Sequence, residues 1–313
     1  MSRELDSGKD PSNLQPSEKV LFPIIAHRIE DALVTAVLGA MVMLPALDML
    51  LRPARIIIPA STAIVQHLTM VVGMLGGAIA AREQRLLSLS TLTVFLKGRW
   101  EAAAHLVSGP FAASITAILA AASVQFVAQQ KVGGKELTQG LPLWIVLLVL
   151  PLGFSAVAAR LLWNSGKSWR SRTVALFLFL GCLAVSIWPP LAPERMVVPA
   201  LTVLLFATLV GAPVFVTLGG AALILFWGEG QPISSVPIAH YQQVTPALLP
   251  AIPLFTLAGY ILAEGGASKR LIRVFQALTG HLRGGPAIAA VLVCAFFTSF
   301  TGASGVTILA LGG

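Results

Sequence analysis

The chain has 313 residues, of which 56% are hydrophobic and only 11% are charged, and its mean hydropathy is +0.85. About one quarter of the residues of an ordinary soluble domain are charged, so the composition excludes a soluble globular protein and indicates an integral membrane protein. The net charge is +8, but the basic residues lie between apolar segments, as in cytoplasmic loops, so no nucleic-acid partner is predicted.

Apolar segments follow one another along the chain. The chain starts with a polar stretch that shows no cleavable signal sequence, so residues 1–31 are predicted to be a disordered cytoplasmic tail. Five segments then have lengths near the roughly 20 residues that a helix needs to cross a bilayer. The predicted fold class is therefore all-α, a polytopic transmembrane helical bundle surrounded by membrane lipid. The five spans are predicted at 32–51, 56–81, 102–128, 141–163 and 173–191.

The next apolar stretch, residues 196–227, is longer than one span needs. As a single helix it would extend over more than about 40 Å, whereas the hydrocarbon core is about 30 Å thick. Gly211, Ala212 and Pro213 lie at its middle, which is compatible with one kinked helix or with two short spans. Two spans place most of the Lys and Arg residues inside when the N-terminus is cytoplasmic, so two spans are favoured.

The remaining segments are predicted from their apolar patterns. Two amphipathic helices at the cytoplasmic interface are predicted at 82–96 and 268–282, where basic residues accompany spaced apolar ones. A further span is predicted at 245–263, and a last apolar segment begins near Pro286. Residues 164–172 form a polar, basic linker, which indicates a joint between two modules.

Polar and small residues within the spans have structural and functional interpretations. His67 is costly in lipid, so it is predicted to face the bundle, where a structural hydrogen bond is favoured over a role in proton movement. Gly73 and Gly77 are four residues apart and are predicted to let another helix approach closely. The apolar segments contain no constellation of catalytic residues, so the chain is not predicted to be an enzyme or to hold a cofactor.

The final segment contains a polar interruption at residues 301–305, between apolar runs. Residues 286–300 and 306–311 can form two half-helices of a re-entrant hairpin, with the interruption as its non-helical tip near the bilayer midplane. Hydroxyl and backbone carbonyl oxygens are ligands that sodium accepts, and helix N-termini favour an anion. On spacing alone, a glycine-rich helix crossing is equally compatible with this pattern.

Several stretches resemble the tripartite ATP-independent periplasmic (TRAP) transporters in the form that fuses a small Q-type subunit to a large M-type subunit. The Q-like region runs from GGA at 76–78 through ARE at 81–83. Two departures are Ala303 in the tip, where the family has Ser, and Leu86, where the small subunit usually has His. The M-like stretches are residues 205–226 around GAP, IPLFTLAGYIL at 252–262, and LRGG at 282–285 with the segment that follows it.

The resemblance implies a sodium-coupled symporter of the bacterial inner membrane that imports an organic anion, a C4-dicarboxylate or related carboxylate. A periplasmic substrate-binding protein would be its partner, and sodium would be the coupling ion. Residues 32–163 would be the Q-like scaffold module, 164–195 the linker and fusion helix, and 196–313 the N-terminal part of the M-like transport module. The implied sodium ligands are Gly302, Ala303, Ser304 and Thr307, and the implied anion-binding residues are Thr301 and Ser304.

The M-like part is shorter than a complete large subunit, whose second inverted repeat a full sodium site would need. We therefore expect the 313 residues to be a fragment or a truncated product that does not transport alone. The alternative function is a non-transporting membrane scaffold or assembly subunit, or an inactive fragment.

Overall fold

The computed structural model describes most of the chain. Between residues 247 and 265 it describes only single positions. The continuous described ranges are 18–56, 58–88, 99–138, 140–166, 168–188, 192–246, 266–281 and 284–301.

The long apolar runs form helices, because a helix satisfies its own backbone hydrogen bonds where water is absent. Two short strands, β1 (Glu136–Thr138) and β2 (Leu141–Pro142), pair antiparallel. The helices of the described residues are α1 (Glu18–Leu51), α2 (Ser61–Arg82), α3 (Arg99–Gly133), α4 (Leu143–Leu147), α5 (Val149–Asn164), α6 (Trp169–Ile187), α7 (Pro193–Leu209), α8 (Val214–Gly228), α9 (Ser235–Val244), α10 (Ala267–Thr279) and α11 (Gly285–Thr301).

Five helical stretches in the described residues are long and apolar enough to cross a membrane, which confirms the all-α polytopic fold class. Helices α4 and α5 together make the fourth of them. The spans are His27–Ala54, Ser61–Arg82, Leu106–Gly133, Leu143–Asn164 and Trp169–Ile187.

Helix α3 is at the centre of the bundle. In its most apolar stretch 61% of the residues are buried, compared with 6% in α6, so α3 is enclosed by other helices while α6 lies at the periphery. One core cluster joins α3 to α2, α4 and α5 around Phe126, and another joins α3 to α7 and α8 around Leu119 and Leu204. The same helix therefore packs against both predicted modules.

The apolar stretch at 196–227 forms two helices, as predicted. Gly211 has φ +108°, a conformation that favours glycine, and it breaks the chain between α7 and α8. The Oγ1 atoms of Thr208 and Thr217, at the two helix ends beside the break, are 2.7 Å apart. At the other ends Gly228 lies directly against the side chain of Val197, so the two helices form an antiparallel hairpin.

The structure corrects two predictions near the helix ends of the first module. Helix α1 begins at Glu18, so the tail predicted over residues 1–31 is helical from that residue onward. The interfacial helix predicted at 82–96 is wrong in its described part, because Gln84 has φ +56° and ends α2. Residues 85–87 have no regular secondary structure, Ser88 forms an isolated bridge, and residues 89–96 lie outside the described part of the chain.

The amphipathic helix predicted at 268–282 is present as α10, which ends at Thr279. The hydroxyl of Thr279 donates to the carbonyl of Phe275 and contacts the carbonyl oxygen of Gly285 at 3.1 Å, at the start of α11. This connection turns the chain from α10 into α11. The span predicted at 245–263 lies largely outside the described residues.

Candidate functional site

The residues predicted to bind sodium and the anion lie at the end of α11 and beyond it. Helix α11 ends at Thr301, and the side chain of Thr301 lies outside the described residues. Residues 302–313 also lie outside them, including Gly302, Ala303, Ser304 and Thr307. The hairpin tip and its site therefore stay predictions. The described part of the chain shows the helices that precede this site.

The best-defined polar geometry lies where the first predicted module meets the second. His67 on α2 is 6% exposed, and its Nδ1 lies 2.7 Å from the carbonyl oxygen of Ala63. Its Nε2 lies 2.8 Å from the hydroxyl of Tyr241 on α9. Because a carbonyl only accepts, Nδ1 carries the proton in the neutral imidazole, and Nε2 accepts from the tyrosine. Both ring nitrogens are thus used, which confirms the structural hydrogen bond predicted for His67.

Two further hydrogen bonds and one contact between aromatic rings cross the same boundary. The amide nitrogen of Gln129 on α3 donates to the hydroxyl of Ser234, just before α9, at 3.3 Å. The backbone N–H of Val214 on α8 donates to the carbonyl of Leu87 at 2.9 Å. The ring of Phe126 on α3 also packs against Tyr241, with centroids 5.7 Å apart. Helices α8 and α9 are thus held to the first module by buried packing and by specific hydrogen bonds.

We predict that Tyr241→Phe lowers the unfolding free energy by about 1–2 kcal/mol, because it leaves Nε2 of His67 buried without its donor. The ring contact with Phe126 is kept, so the change isolates the hydroxyl. Thermal unfolding in detergent would measure the effect. In a His67→Ala background the tyrosine substitution should cost nothing further; equal costs in both backgrounds would contradict the coupling.

A large apolar cavity lies at the same boundary. Its volume is about 460 Å³, and it is lined by α2, α5, α8 and α9 together with residues 86 and 87. Gly73 and Gly77 line it, and among the described residues a Cβ at either position would meet no atom within 4 Å. Within this described part of the chain, the close helix approach predicted at these glycines is therefore wrong. Among the described residues of the lining, His240 is the ionisable one, and its ring packs beside Phe154 with centroids 6.2 Å apart.

A network of charged side chains ties α1, α2 and α5 together at one end of the bundle. Arg82 donates to Glu30 and to Asp31, at 3.0 Å each, and Arg160 donates to the other carboxylate oxygen of Glu30. At the opposite end of α1, Asp48 is only 5% exposed. It accepts from the Arg52 guanidinium and, at 3.2 Å, from the backbone N–H of Ile58. These acidic residues therefore fix helix ends.

Sequence reasoning identified His67 but not its partner, and it did not find the contact between Leu87 and Val214. A histidine within an apolar span signals a buried polar partner without saying which residue supplies it. The backbone contact has no side-chain signal, because any residue offers a carbonyl. The helix break at Gly211 does indicate that backbone groups there lack partners within their own helices.

Two protein-family models match the chain. Residues 41–171 match the DctQ component of the tripartite ATP-independent periplasmic transporters, and residues 201–313 match the DctM component. The chain is 37% identical over 105 residues to the C4-dicarboxylate TRAP transporter large permease protein DctM of Rhodobacter capsulatus, covering 33% of this chain and 24% of the relative.

Two further relatives show the range of names among similar proteins. The isethionate TRAP transporter permease protein DctMQ of Oleidesulfovibrio alaskensis is 31% identical over 55% of this chain and 28% of its own length. The ectoine TRAP transporter large permease protein TeaC of Halomonas elongata is 31% identical over 36% of this chain and 28% of its own length. The chain thus spans about a quarter of the length of the curated relatives it matches.

Proposed function

Because the chain belongs to the TRAP transporters, with DctQ sequence followed by DctM sequence, we propose that it is a membrane component of a sodium-coupled importer of an organic anion. A periplasmic binding protein delivers the anion, and the chain lies in the bacterial inner membrane as a multi-pass protein. Its family is one of permeases rather than enzymes. In this proposal the N-terminus is cytoplasmic.

The observation that carries the proposal is the order of the two family models along one helical bundle. The DctQ part supplies α2, α3 and α5, which form a buried frame, and the DctM part supplies α8 and α9, which are packed and hydrogen-bonded onto it. We assign residues 32–163 to a scaffold, 164–195 to a linker with a fusion helix, and 196–313 to the start of the transport module. A fixed frame beside a part that moves is the arrangement that alternating access requires, and in this proposal the moving part includes the hairpin from Pro286 onward.

A C4-dicarboxylate or a related carboxylate is the proposed substrate class. Several relatives that are large permease proteins are named for C4-dicarboxylates. Other relatives are named for ectoine and isethionate, so the test should include all three compounds. Uptake of each labelled compound is measured in proteoliposomes that hold the transporter as the cell produces it, with its binding protein, under a sodium or a potassium gradient.

We predict that Ser304→Ala and Thr307→Ala raise the sodium concentration for half-maximal uptake about tenfold or abolish uptake, because each removes one oxygen ligand. Gly302 and Ala303 would contribute backbone carbonyls, and Thr301 would contact the anion.

Two substitutions of the same kind serve as controls for the sodium ligands. Thr202→Ala on α7 and Ser186→Ala on α6 remove hydroxyls that donate to carbonyls one turn earlier in their own helices, at 2.8 and 2.9 Å. Both should leave the sodium dependence unchanged. If uptake proceeds equally in potassium, sodium coupling is wrong. Absence of uptake of any of the three compounds would instead favour a non-transporting scaffold or assembly subunit.

A further inference from the structure

The chain leaves α2 in a short irregular segment that reaches the other module. Helix α2 closes with the backbone N–H of Arg85 donating to the carbonyl of Ala80 at 2.9 Å, and Gln84 has φ +56°. Residues 86 and 87 then have no regular secondary structure. Ser88 forms an antiparallel bridge with Pro213, and the carbonyl of Leu87 accepts from the N–H of Val214 at 2.9 Å. A piece of the DctQ part thus pairs, backbone to backbone, with the break between α7 and α8.

This break needs a partner from outside its own helices. The first N–H groups of a helix have no acceptor within that helix, and Val214 is the first residue of α8. The break is also enclosed, since Ala212 is fully buried and Val210 is 8% exposed. A backbone N–H without an acceptor is costly where little water reaches it, and the carbonyl of Leu87 supplies the acceptor, although the Leu87 side chain itself is 78% exposed.

The side chains of the segment reinforce this pairing. Leu86 packs against Ala78 and Val157 of the DctQ part, in a cluster that also contacts Phe215 of α8. Leu87 borders the apolar cavity, whereas Ser88 borders a smaller cavity of about 180 Å³ that is also lined by Asn164. Leu86 lines both cavities, so the segment runs along the border between them.

We propose that residues 86–88 act as an inter-module clasp that fixes the α7–α8 hairpin of the DctM part to the end of α2. The clasp adds to the covalent connection through α6 and to the contacts that α8 and α9 make with α2 and α3. Because its central contact is made by backbone atoms, it fixes the position and direction of α8 without requiring a particular side chain. The proposal goes beyond the transport function and does not depend on it.

Proline at position 214 tests the clasp with little disturbance of α8. Proline is favoured at the first position of a helix, where the missing N–H has no acceptor within the helix. Pro213 before it has φ −60° and ψ 141°, the extended conformation that a following proline requires. Val214→Pro therefore removes the donor to Leu87 and places the ring against that carbonyl. Val214→Ala keeps the N–H and is the matched control.

The measurement is the non-covalent association of the two halves of the full chain. A protease site is inserted in the connection between α6 and α7, the purified protein is cleaved in detergent, and the DctM half retained by a tagged DctQ half is quantified. We expect Val214→Pro to weaken retention about three- to tenfold, the effect of one buried hydrogen bond, while Val214→Ala is retained like the unaltered chain. Equal retention of the two variants would overturn the proposal.

A second measurement covers the case in which the proline variant does not fold. Hydrogen exchange in the unaltered chain reports directly on the amide of Val214. If the clasp exists, this amide exchanges at least a hundredfold more slowly than an unprotected amide, although it is the first of its helix. Exchange at the unprotected rate would show that the Leu87 carbonyl does not hold it, and the clasp would be wrong.

Discussion

Replacing Phe126 by alanine is expected to lower the unfolding free energy by about 3–4 kcal/mol. The side chain is 1% exposed and lies where α3 meets α2, the α4–α5 stretch and α9. The membrane removes much of the hydrophobic driving force between helices, but the packing contacts are lost outright when the ring is deleted. The resulting cavity would lie at the contact between the two modules, so we expect both modules to lose stability together. Thermal or denaturant unfolding in detergent measures the change.

Two control substitutions distinguish the effect of lost buried packing from the effect of removing an aromatic side chain in itself. Phe126→Leu keeps most of the volume and should cost less than about 1.5 kcal/mol. Phe177→Ala on α6 deletes the same atoms from a side chain that is 76% exposed, and it should have almost no effect. Equal losses at positions 126 and 177 would show that α3 is not the centre of the core.

The spans and the two-helix form of residues 196–227 could be predicted because they follow from local properties. Length and apolar content identify a spanning helix, and a glycine followed closely by a proline in a stretch too long for the bilayer predicts a break. The Lys and Arg residues of the loops further favour two spans over one for residues 196–227. None of these properties depends on which helices contact one another.

The contacts between helices could not be predicted, because they join residues far apart in the chain. His67 was expected to find a polar partner, but Tyr241 follows it by 174 residues and carries no pattern that marks it. The end of α2 was misassigned for a similar reason. Residues 82–96 have an amphipathic pattern, yet Gln84 adopts a left-handed conformation, the carbonyl of Leu87 accepts from the N–H of Val214, and Ser88 pairs with Pro213.

The glycines of α2 lie in a helix that does make a close contact, but they are not the residues at that contact. Gly73 and Gly77 have the spacing of a close helix contact, and α2 does pack closely against α5. The glycine at that contact, however, is Gly153 on α5, which faces Met74. Spacing within one helix cannot show which face meets a neighbour, and here the glycine pair of α2 borders the cavity.

Gly153→Ala is therefore expected to destabilise the protein by about 1–3 kcal/mol, whereas Gly73→Ala should be neutral or stabilise it by up to about 1 kcal/mol. A Cβ at position 153 would lie 2.9 Å from the Cβ of Met74, so the α2 and α5 backbones must separate. A Cβ at position 73 meets no atom of the described residues within 4 Å and gains the helix preference of alanine. Unfolding of the two variants in the same detergent measures the difference. A greater loss at position 73 than at 153 would restore the glycine pair of α2 as the close contact and contradict the packing described for α2 and α5.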